Sequence, residues 1–193
     1  MTSPIADPIA HPIAHPIAHP IARPTARFML SHPAHAIALG FGSGLSPLAP
    51  GTAGTLWAWL AFLVLQNYGM TDAGWALLIA AGLPVGWWAS AVTARHMQVL
   101  DPGSIVWDEV VAFWLVLWLV MPAGFWGQLA AFALFRFFDA AKPGPVGWAD
   151  RLFHGVDAKS DPKAWTKAGF GIMLDDLVAA GCTLLVIAVW RFG

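Results

Sequence analysis

Long apolar segments separated by short connections dominate the chain after residue 54. The last of them has no charged side chain between residues 177 and 190. A helix that crosses the hydrocarbon core of a membrane takes about 20 mainly apolar residues. The pattern therefore predicts an all-α, multihelical polytopic membrane protein with about four or five membrane-embedded helices, the first of them short for a complete span. These segments cover residues 55–67, 73–94, 105–121, 124–140 and 172–190.

The first 30 residues have a different pattern. Between residues 4 and 23 the motif Pro-Ile-Ala-His recurs. A proline at every fourth position prevents an α-helix, because each proline lacks an amide hydrogen and clashes with the preceding turn. We therefore expect residues 1–30 to be a low-complexity Pro/His tail that is disordered. Residues 31–193 are expected to form a single membrane-embedded domain.

Composition supports a membrane protein and excludes one class of partner. Hydrophobic residues make up 58% of the chain and charged residues only 11%, against about 25% in a typical soluble domain. The mean hydropathy is +0.64. The formal net charge of −1 leaves no basic surface of the kind that binds nucleic acid, so no nucleic-acid partner is expected.

The distribution of basic residues predicts the orientation in the membrane. The connections after the first and third segments carry almost no charge, whereas the tail and the other connections are basic. The positive-inside rule places the basic connections in the cytoplasm, together with the glycine-rich stretch before residue 55 and most of the acids. The basic residues behind this prediction are Arg23, Arg27, Arg95, Lys142, Arg151, Lys159, Lys163 and Lys167.

Two adjacent acids, Asp175 and Asp176, stand at the beginning of the last apolar segment. Carboxylates in a membrane-embedded helix are costly, and such residues usually mark a functional site. The alternative is that both lie in the first turn of a helix, where negative charge suits the helix dipole and can cap backbone amides. Because two acids are involved and other acids share their side of the membrane, we favour a functional site.

Further acids occur near the ends of the predicted helices. Asp108 and Glu109 open the third segment, and Asp139 lies near the end of the fourth. Arg136 precedes Asp139 by three residues, so a simple intrahelical ion pair is the alternative interpretation of these two. Five or six carboxylates are therefore expected to converge on one membrane face beside basic side chains. The connection that follows adds Lys142, Asp150 and His154.

A glycine-rich loop (residues 40–55) precedes the first apolar segment. It combines glycines and prolines with the hydroxyl residues Ser43, Thr52 and Thr55. Such a loop at the start of a helix can direct backbone amides at an anion. No lysine follows the glycines, so it is not a nucleotide-binding loop of the Walker A type. The alternative, which this loop alone favours, is a plain turn with Thr55 as the helix cap.

The side chains expected on this face suit a hard cation and a phosphate group. Clustered carboxylates need protons or cations to neutralise them. Oxygen ligands without a cysteine cluster or paired histidines favour Mg²⁺ over Zn²⁺. A hard cation, basic side chains and a glycine-rich loop together indicate phosphate chemistry, in which the metal binds phosphoryl oxygens and activates a water molecule.

Four blocks of the sequence resemble the signature blocks of the phosphatidylglycerophosphatase A family. They comprise residues 42–55, 103–110, 135–143 and 171–176, in the family's order, within a similarity that covers about residues 31–190. The resemblance implies a multi-pass enzyme of the bacterial inner membrane. It also implies hydrolysis of a phospholipid substrate, phosphatidylglycerophosphate, to phosphatidylglycerol and phosphate, with Mg²⁺ as the cofactor.

The matching motifs also imply roles for single residues. The expected metal ligands are Asp108, Asp139, Asp175 and Asp176. The expected catalytic residues are Asp108, Glu109 and Asp175, with Glu109 as a ligand or a base. The residues expected to bind the substrate are Arg136, Lys142, Ser43, Thr52 and Thr55. Asp150 is a further candidate for the site.

Two regions depart from the family, the Pro/His tail and a charged insertion, and two other hypotheses stay open. A charged insertion (residues 156–168) follows His154 and can displace it from the site, so His154 receives no role. The first rival is an ion- or proton-coupled membrane carrier that uses buried carboxylates, which leaves the glycine-rich loop unexplained. The second is a non-catalytic subunit of a membrane complex.

Overall fold

The computed structural model describes residues 20, 21, 23–153, 157, 158 and 160–193. All regular secondary structure in this part of the chain is helical, which confirms the all-α prediction. The α-helices are α1 (Ala26–Leu30), α2 (Pro33–Ala38), α3 (Pro50–Asn67), α4 (Asp72–Met97), α5 (Trp107–Val120), α6 (Phe125–Ala141), α7 (Pro145–Arg151) and α8 (Ala164–Phe192). A 3₁₀ segment, Gly40–Leu45, connects α2 to the loop before α3.

The helices α4, α5 and α6 begin and end close to the predicted apolar segments, but α3 and α8 begin earlier. Helix α3 starts at Pro50, because proline fits the first turn of a helix, where the missing amide hydrogen has no partner to lose. Helix α8 starts at Ala164. Its first turns contain glycines and charged residues, which weaken the local helix signal, and packing against α4 compensates.

The predicted Pro/His tail falls mostly on residues 1–19 and 22, which lie outside the described residues. Helical structure begins within the predicted tail, since α1 ends at Leu30 and Thr25 caps it by accepting a hydrogen bond from the Phe28 amide at 3.2 Å. Upstream of α1, the Ile21 amide donates to the Met97 carbonyl at 2.9 Å. Residue 21 therefore lies against the C-terminal end of α4.

Helix α5 forms the centre of the fold and packs against α3, α4, α6 and α8. Indole groups tie it to its neighbours: Trp107 donates to the Gly82 carbonyl at 3.0 Å, and Trp114 donates to the Ala58 carbonyl at 2.9 Å. With 14 residues, α5 extends about 21 Å, less than the roughly 30 Å hydrocarbon core of a bilayer. Helix α5 alone is thus too short for a complete span.

Within the described residues, two helices, α4 and α8, are long and apolar enough to cross a membrane. Only 33% and 39% of their most apolar stretches is buried inside the protein, whereas a core helix of a soluble protein would be mostly buried. Large apolar side chains face outward, as membrane-exposed surface requires. Those on α4 and α8 include Leu77, Trp87, Trp88, Leu185 and Trp190.

Helices α4 and α8 pack closely in opposite directions. A Cβ atom at Gly169 would lie 2.7 Å from the Ala91 amide nitrogen, and one at Gly86 would lie 3.0 Å from the Met173 sulfur. Only glycine permits this approach. The C-terminal half of α4 therefore lies against the N-terminal half of α8, which holds the acids of α8 beside the start of α5.

Candidate active site

Three carboxylates meet where the start of α5 faces the middle of α8. One oxygen each of Asp108, Glu109 and Asp176 lies within 4.8 Å of the others, and we call these three residues the acidic cluster. All three are buried, Asp176 to the point that only 3% of it is exposed. The tertiary structure thus brings together two acid pairs that are more than 60 residues apart in the chain.

The acidic cluster contains buried oxygens without a hydrogen-bond partner. They are Asp108 Oδ1, Glu109 Oε2 and Asp176 Oδ2. A buried carboxylate oxygen that accepts no hydrogen bond is costly unless a proton or a cation satisfies it. Several carboxylate oxygens in a small space form the ligand type that Mg²⁺ prefers, so these residues fit a hard divalent cation.

Asp175 and Asp176 do not lie in the first turn of their helix. Helix α8 starts at Ala164, about three turns earlier, so backbone amides at this depth are already bonded within the helix. The alternative interpretation of these acids as helix caps is therefore wrong. Their burial within a packed helix needs another explanation.

Arg136 approaches the acidic cluster from the C-terminal part of α6. Its guanidinium forms an ion pair with Asp139 three residues later, as the alternative interpretation proposed. Its Nη1 atom also lies 3.6 Å from Glu109 Oε1. The intrahelical pair is thus part of the site and not an isolated surface feature.

A second group of charges lies beside the acidic cluster. Lys142 Nζ donates hydrogen bonds to Asp150 and, at 2.6 Å, to Asp175 Oδ2, and we call these three residues the lysine group. Burial opposes the charge of Lys142, but the hydrogen bonds with Asp150 and Asp175 outweigh it and raise the lysine pKa above its usual range. Lys142 is therefore protonated at neutral pH.

A cavity of about 110 Å³ opens beside the lysine group. Asp101, Asp150 and Asp175 line it, together with apolar residues that include Phe153 and Ile172. Asp101 was not among the site residues predicted from the sequence. The signal that could have found it is its position between α4 and α5, a connection predicted to lie on the same side of the membrane as most of the other acids.

The first turn of α3 brings the glycine-rich loop to the acidic cluster. A Cβ atom at Gly51 would collide with Glu109 Oε1 and would lie 3.2 Å from Arg136 Nη1. Helix α3 begins after Ala49, whose side chain cannot accept a hydrogen bond, so the first amides of α3 have no side-chain cap. The positive end of an 18-residue helix therefore lies beside Glu109 and Arg136.

The three hydroxyl residues of the loop have different surroundings. Thr55 is fully buried inside α3, and its hydroxyl donates to the Gly51 carbonyl at 2.9 Å, so the expectation that it caps the helix is wrong. Ser43 donates to the Gly40 carbonyl at 2.9 Å. Thr52 lies in the first turn of α3, next to Gly51. Thr52 is thus the hydroxyl residue closest in the chain to the contact with the acidic cluster.

His154 and parts of the predicted insertion, residues 156 and 159, lie outside the described residues. The last residues of the insertion form the first turn of α8, and Lys167 pairs with Asp161 at 2.6 Å. This exposed ion pair belongs to the insertion and is separate from the lysine group.

Taken together, the helical fold, two candidate membrane-spanning helices and a buried carboxylate cluster beside arginine and lysine define a class: a membrane-associated enzyme for phosphate esters. The profile of the family "Phosphatidylglycerophosphatase A" matches residues 36–191, and the chain belongs to this family. The resemblance seen in four blocks of the sequence is thus confirmed.

Similar proteins from other bacteria match most of the chain. Phosphatidylglycerophosphatase A of Escherichia coli is 38% identical over 177 residues, which covers 86% of this chain and 91% of the relative. The Haemophilus influenzae protein of the same name is 37% identical, and the match covers 83% of this chain and 90% of the relative. A Bacteroides thetaiotaomicron protein carries the provisional name phosphatidylinositol-3-phosphatase. It is 36% identical, and the match covers 81% of this chain and 92% of the relative. No solved structure matches the chain.

Proposed function

We propose that this protein is a lipid phosphatase that hydrolyses phosphatidylglycerophosphate to phosphatidylglycerol and phosphate. Family membership and the names of two relatives support this activity. The structural observation that carries the proposal is the acidic cluster, whose three unpartnered oxygens lie beside Arg136. The reaction is the hydrolysis of a phosphoric monoester, which releases inorganic phosphate and leaves an uncharged glycerol headgroup on the lipid.

We infer that Mg²⁺ is the cofactor and that Asp108, Glu109 and Asp176 would hold it, with Asp139 adjacent. When bound, the metal would polarise the phosphoryl group and neutralise charge that develops on its oxygens. The support is the set of buried oxygens without partners. Asp175 was also expected as a ligand; its Oδ2 atom accepts a hydrogen bond from Lys142, and in this proposal Asp175 acts as part of the lysine group.

The other residues would bind the phosphate and move a proton. Arg136 and the first amides of α3 would donate hydrogen bonds to the phosphoryl oxygens. Asp175, held by Lys142 at the 110 Å³ cavity, would accept a proton from the attacking water. The water oxygen bonds to phosphorus, and the bond from phosphorus to the glycerol oxygen breaks. That oxygen takes a proton from solvent and becomes a hydroxyl group, while Asp175 returns the proton it accepted to solvent.

The membrane orientation belongs to the same proposal. In it α4 and α8 span the bacterial inner membrane in opposite directions, and the shorter helices α3, α5 and α6 are embedded beside them. The end of α4 with Arg95 and the start of α8 with Lys167 lie on one side, because these halves of the two helices pack together. The positive-inside rule then places that side, and the active site, toward the cytoplasm.

The direct test is phosphate release from phosphatidylglycerophosphate in detergent micelles, with Mg²⁺ and with excess chelator. We expect release only with the metal, and a loss of about 10²–10³-fold in Asp176→Asn because charge stabilisation in the transition state is removed. Asp161→Asn is the matched control, since Asp161 pairs with Lys167 away from the site. Full activity in chelator or in Asp176→Asn would contradict the proposal.

A second lipid makes the substrate assignment sharper. Phosphatidylinositol 3-phosphate is measured under the same conditions, because one relative carries a name based on that lipid. We expect the larger kcat/KM for phosphatidylglycerophosphate. The reverse order would reassign the substrate, and release from neither lipid by folded protein would favour the carrier hypothesis.

A further inference from the structure

A pocket of about 400 Å³ lies beside the candidate active site. Three parts of the chain form it: the stretch before α1, the glycine-rich loop and the turn before α5. Its walls include Arg23, Gly44, Ser46, Pro50, Gly103 and Ser104. The pocket is distinct from the acidic cluster and from the smaller cavity at the lysine group.

The pocket and the acidic cluster share the first turn of α3. Pro50 lines the pocket, and the next residue, Gly51, contacts Glu109 and Arg136. Consecutive Cα atoms are about 3.8 Å apart, so a ligand of modest length can reach both places. Close packing of Gly44 against the Ser104 carbonyl fixes the loop to the turn from which α5 begins.

Arg23 is the charged side chain among the described residues that line the pocket. It is exposed and forms no ion pair within the described part of the chain. A guanidinium offers five donors in a planar arrangement that matches phosphate oxygens. An arginine without a carboxylate partner, at the edge of a pocket of this size, is suited to an anionic group of a ligand.

The lipid in the proposed reaction carries two phosphates joined by a glycerol unit. Hydrolysis removes the terminal monoester and leaves the phosphodiester unchanged. We propose that Arg23 and this pocket bind the phosphodiester of the substrate while the terminal phosphate occupies the acidic cluster. This inference rests on the proposed function and adds to it a headgroup subsite that recognises the second phosphate.

The proposal gives a role to a segment outside the family match, which begins at residue 36. Arg23 is the last residue of the Pro/His repeat that the sequence assigned to a tail. The hydrogen bond from the Ile21 amide to the Met97 carbonyl holds this stretch against α4. The end of the repeat therefore carries a cation to the substrate side of the molecule.

The test compares Arg23→Gln with Arg27→Gln in the full chain. Arg27 is also exposed and basic, but it lies on α1 and does not line the pocket, so it controls for general attraction to anionic micelles. For phosphatidylglycerophosphate we expect Arg23→Gln to raise KM about tenfold with little change in kcat, as loss of a charge-assisted hydrogen bond predicts. Arg27→Gln should stay within about twofold of wild type.

A substrate without the second phosphate separates this role from a structural one. Phosphatidic acid has the terminal monoester but no phosphodiester, so its KM should be the same for Arg23→Gln and wild type. Equal effects on both lipids, or no effect on either, would overturn the proposal.

A binding measurement keeps the subsite testable without turnover. Phosphatidylglycerol retains the phosphodiester and lacks the terminal phosphate, and its binding in neutral detergent micelles can be followed by tryptophan fluorescence. We expect about tenfold weaker binding in Arg23→Gln and unchanged binding in Arg27→Gln. Unchanged binding in Arg23→Gln would overturn the subsite alone, whereas absent phosphate release by wild type would overturn the proposed function alone.

Discussion

The acidic cluster and the lysine group lie side by side but are neutralised differently. In the lysine group, Asp150 and Asp175 both accept hydrogen bonds from Lys142. In the acidic cluster, three buried carboxylate oxygens have no hydrogen-bond partner among the described residues. The charges of the lysine group are therefore paired within the protein, whereas oxygens of the acidic cluster are left available for a ligand.

The neighbours Asp175 and Asp176 show how the two groups become separate. Consecutive residues of an α-helix point in directions about 100° apart, so adjacent acids on α8 reach different surroundings. Asp175 faces Lys142 and the small cavity, whereas Asp176 joins the carboxylates of α5. Adjacent acids in a motif therefore need not share a role.

The largest effect that would sharpen this comparison is expected from Gly51→Ala. The added Cβ collides with Glu109 of the acidic cluster and leaves the lysine group untouched. A displacement of about 1 Å at a catalytic group can lower the rate about 10²-fold, so we expect a loss of that order in phosphate release. Gly181→Ala is the control, since a Cβ there meets no atom within 4 Å. Activity near wild type in Gly51→Ala would show that the contact does not matter.

The effect of Mg²⁺ on the free energy of unfolding distinguishes the acidic cluster from the lysine group. A ligand at 100 times its Kd stabilises the folded state by about 2.7 kcal/mol, so saturating Mg²⁺ should raise the unfolding free energy of the wild type by about this amount. Asp176→Asn should lose most of the gain, and Asp175→Asn should keep most of it. Thermal unfolding in detergent, with and without chelator, measures both. An equal loss in the two variants would remove the distinction between the groups.

A smaller effect on stability is expected from Lys142→Met, which removes the ammonium group that pairs with Asp150 and Asp175. Breaking a buried ion pair costs about 3–5 kcal/mol. Because 32% of the Lys142 side chain is exposed, we expect about 1–2 kcal/mol in denaturant unfolding. Lys167→Met should cost less than Lys142→Met, since the pair of Lys167 with Asp161 is more exposed. Equal costs would show that the lysine group is an ordinary surface pair.

The pH dependence of the same variant follows from the raised pKa of Lys142. A lysine pKa that is higher in the folded state contributes stability below the ordinary lysine value of about 10.4, and the contribution is lost as pH rises through the folded value. The difference between wild type and Lys142→Met should therefore be constant from about pH 7 to 9 and shrink only above about 10.4. A difference that already falls between pH 7 and 9 would contradict the raised pKa.

Local sequence signals predicted the helices well where packing did not have to override them. The apolar segments of α4, α5 and α6 have few polar interruptions, so their limits follow from composition alone. The early starts at Pro50 and Ala164 were missed, because glycine and charge in those turns weaken the local helix signal. The number of complete spans also depends on helix length in three dimensions, as the 14 residues of α5 illustrate.

The sequence by itself determined the helical class and the family, and it predicted most of the acidic and basic residues that the structure brings together, because these follow from residue type and order. Only the tertiary structure decided how those residues are grouped. The separation of Asp175 from Asp176, and the placement of Asp101 and Arg23 at cavities, depend on contacts between distant parts of the chain. Such contacts arise from helix packing, which local periodicity does not encode.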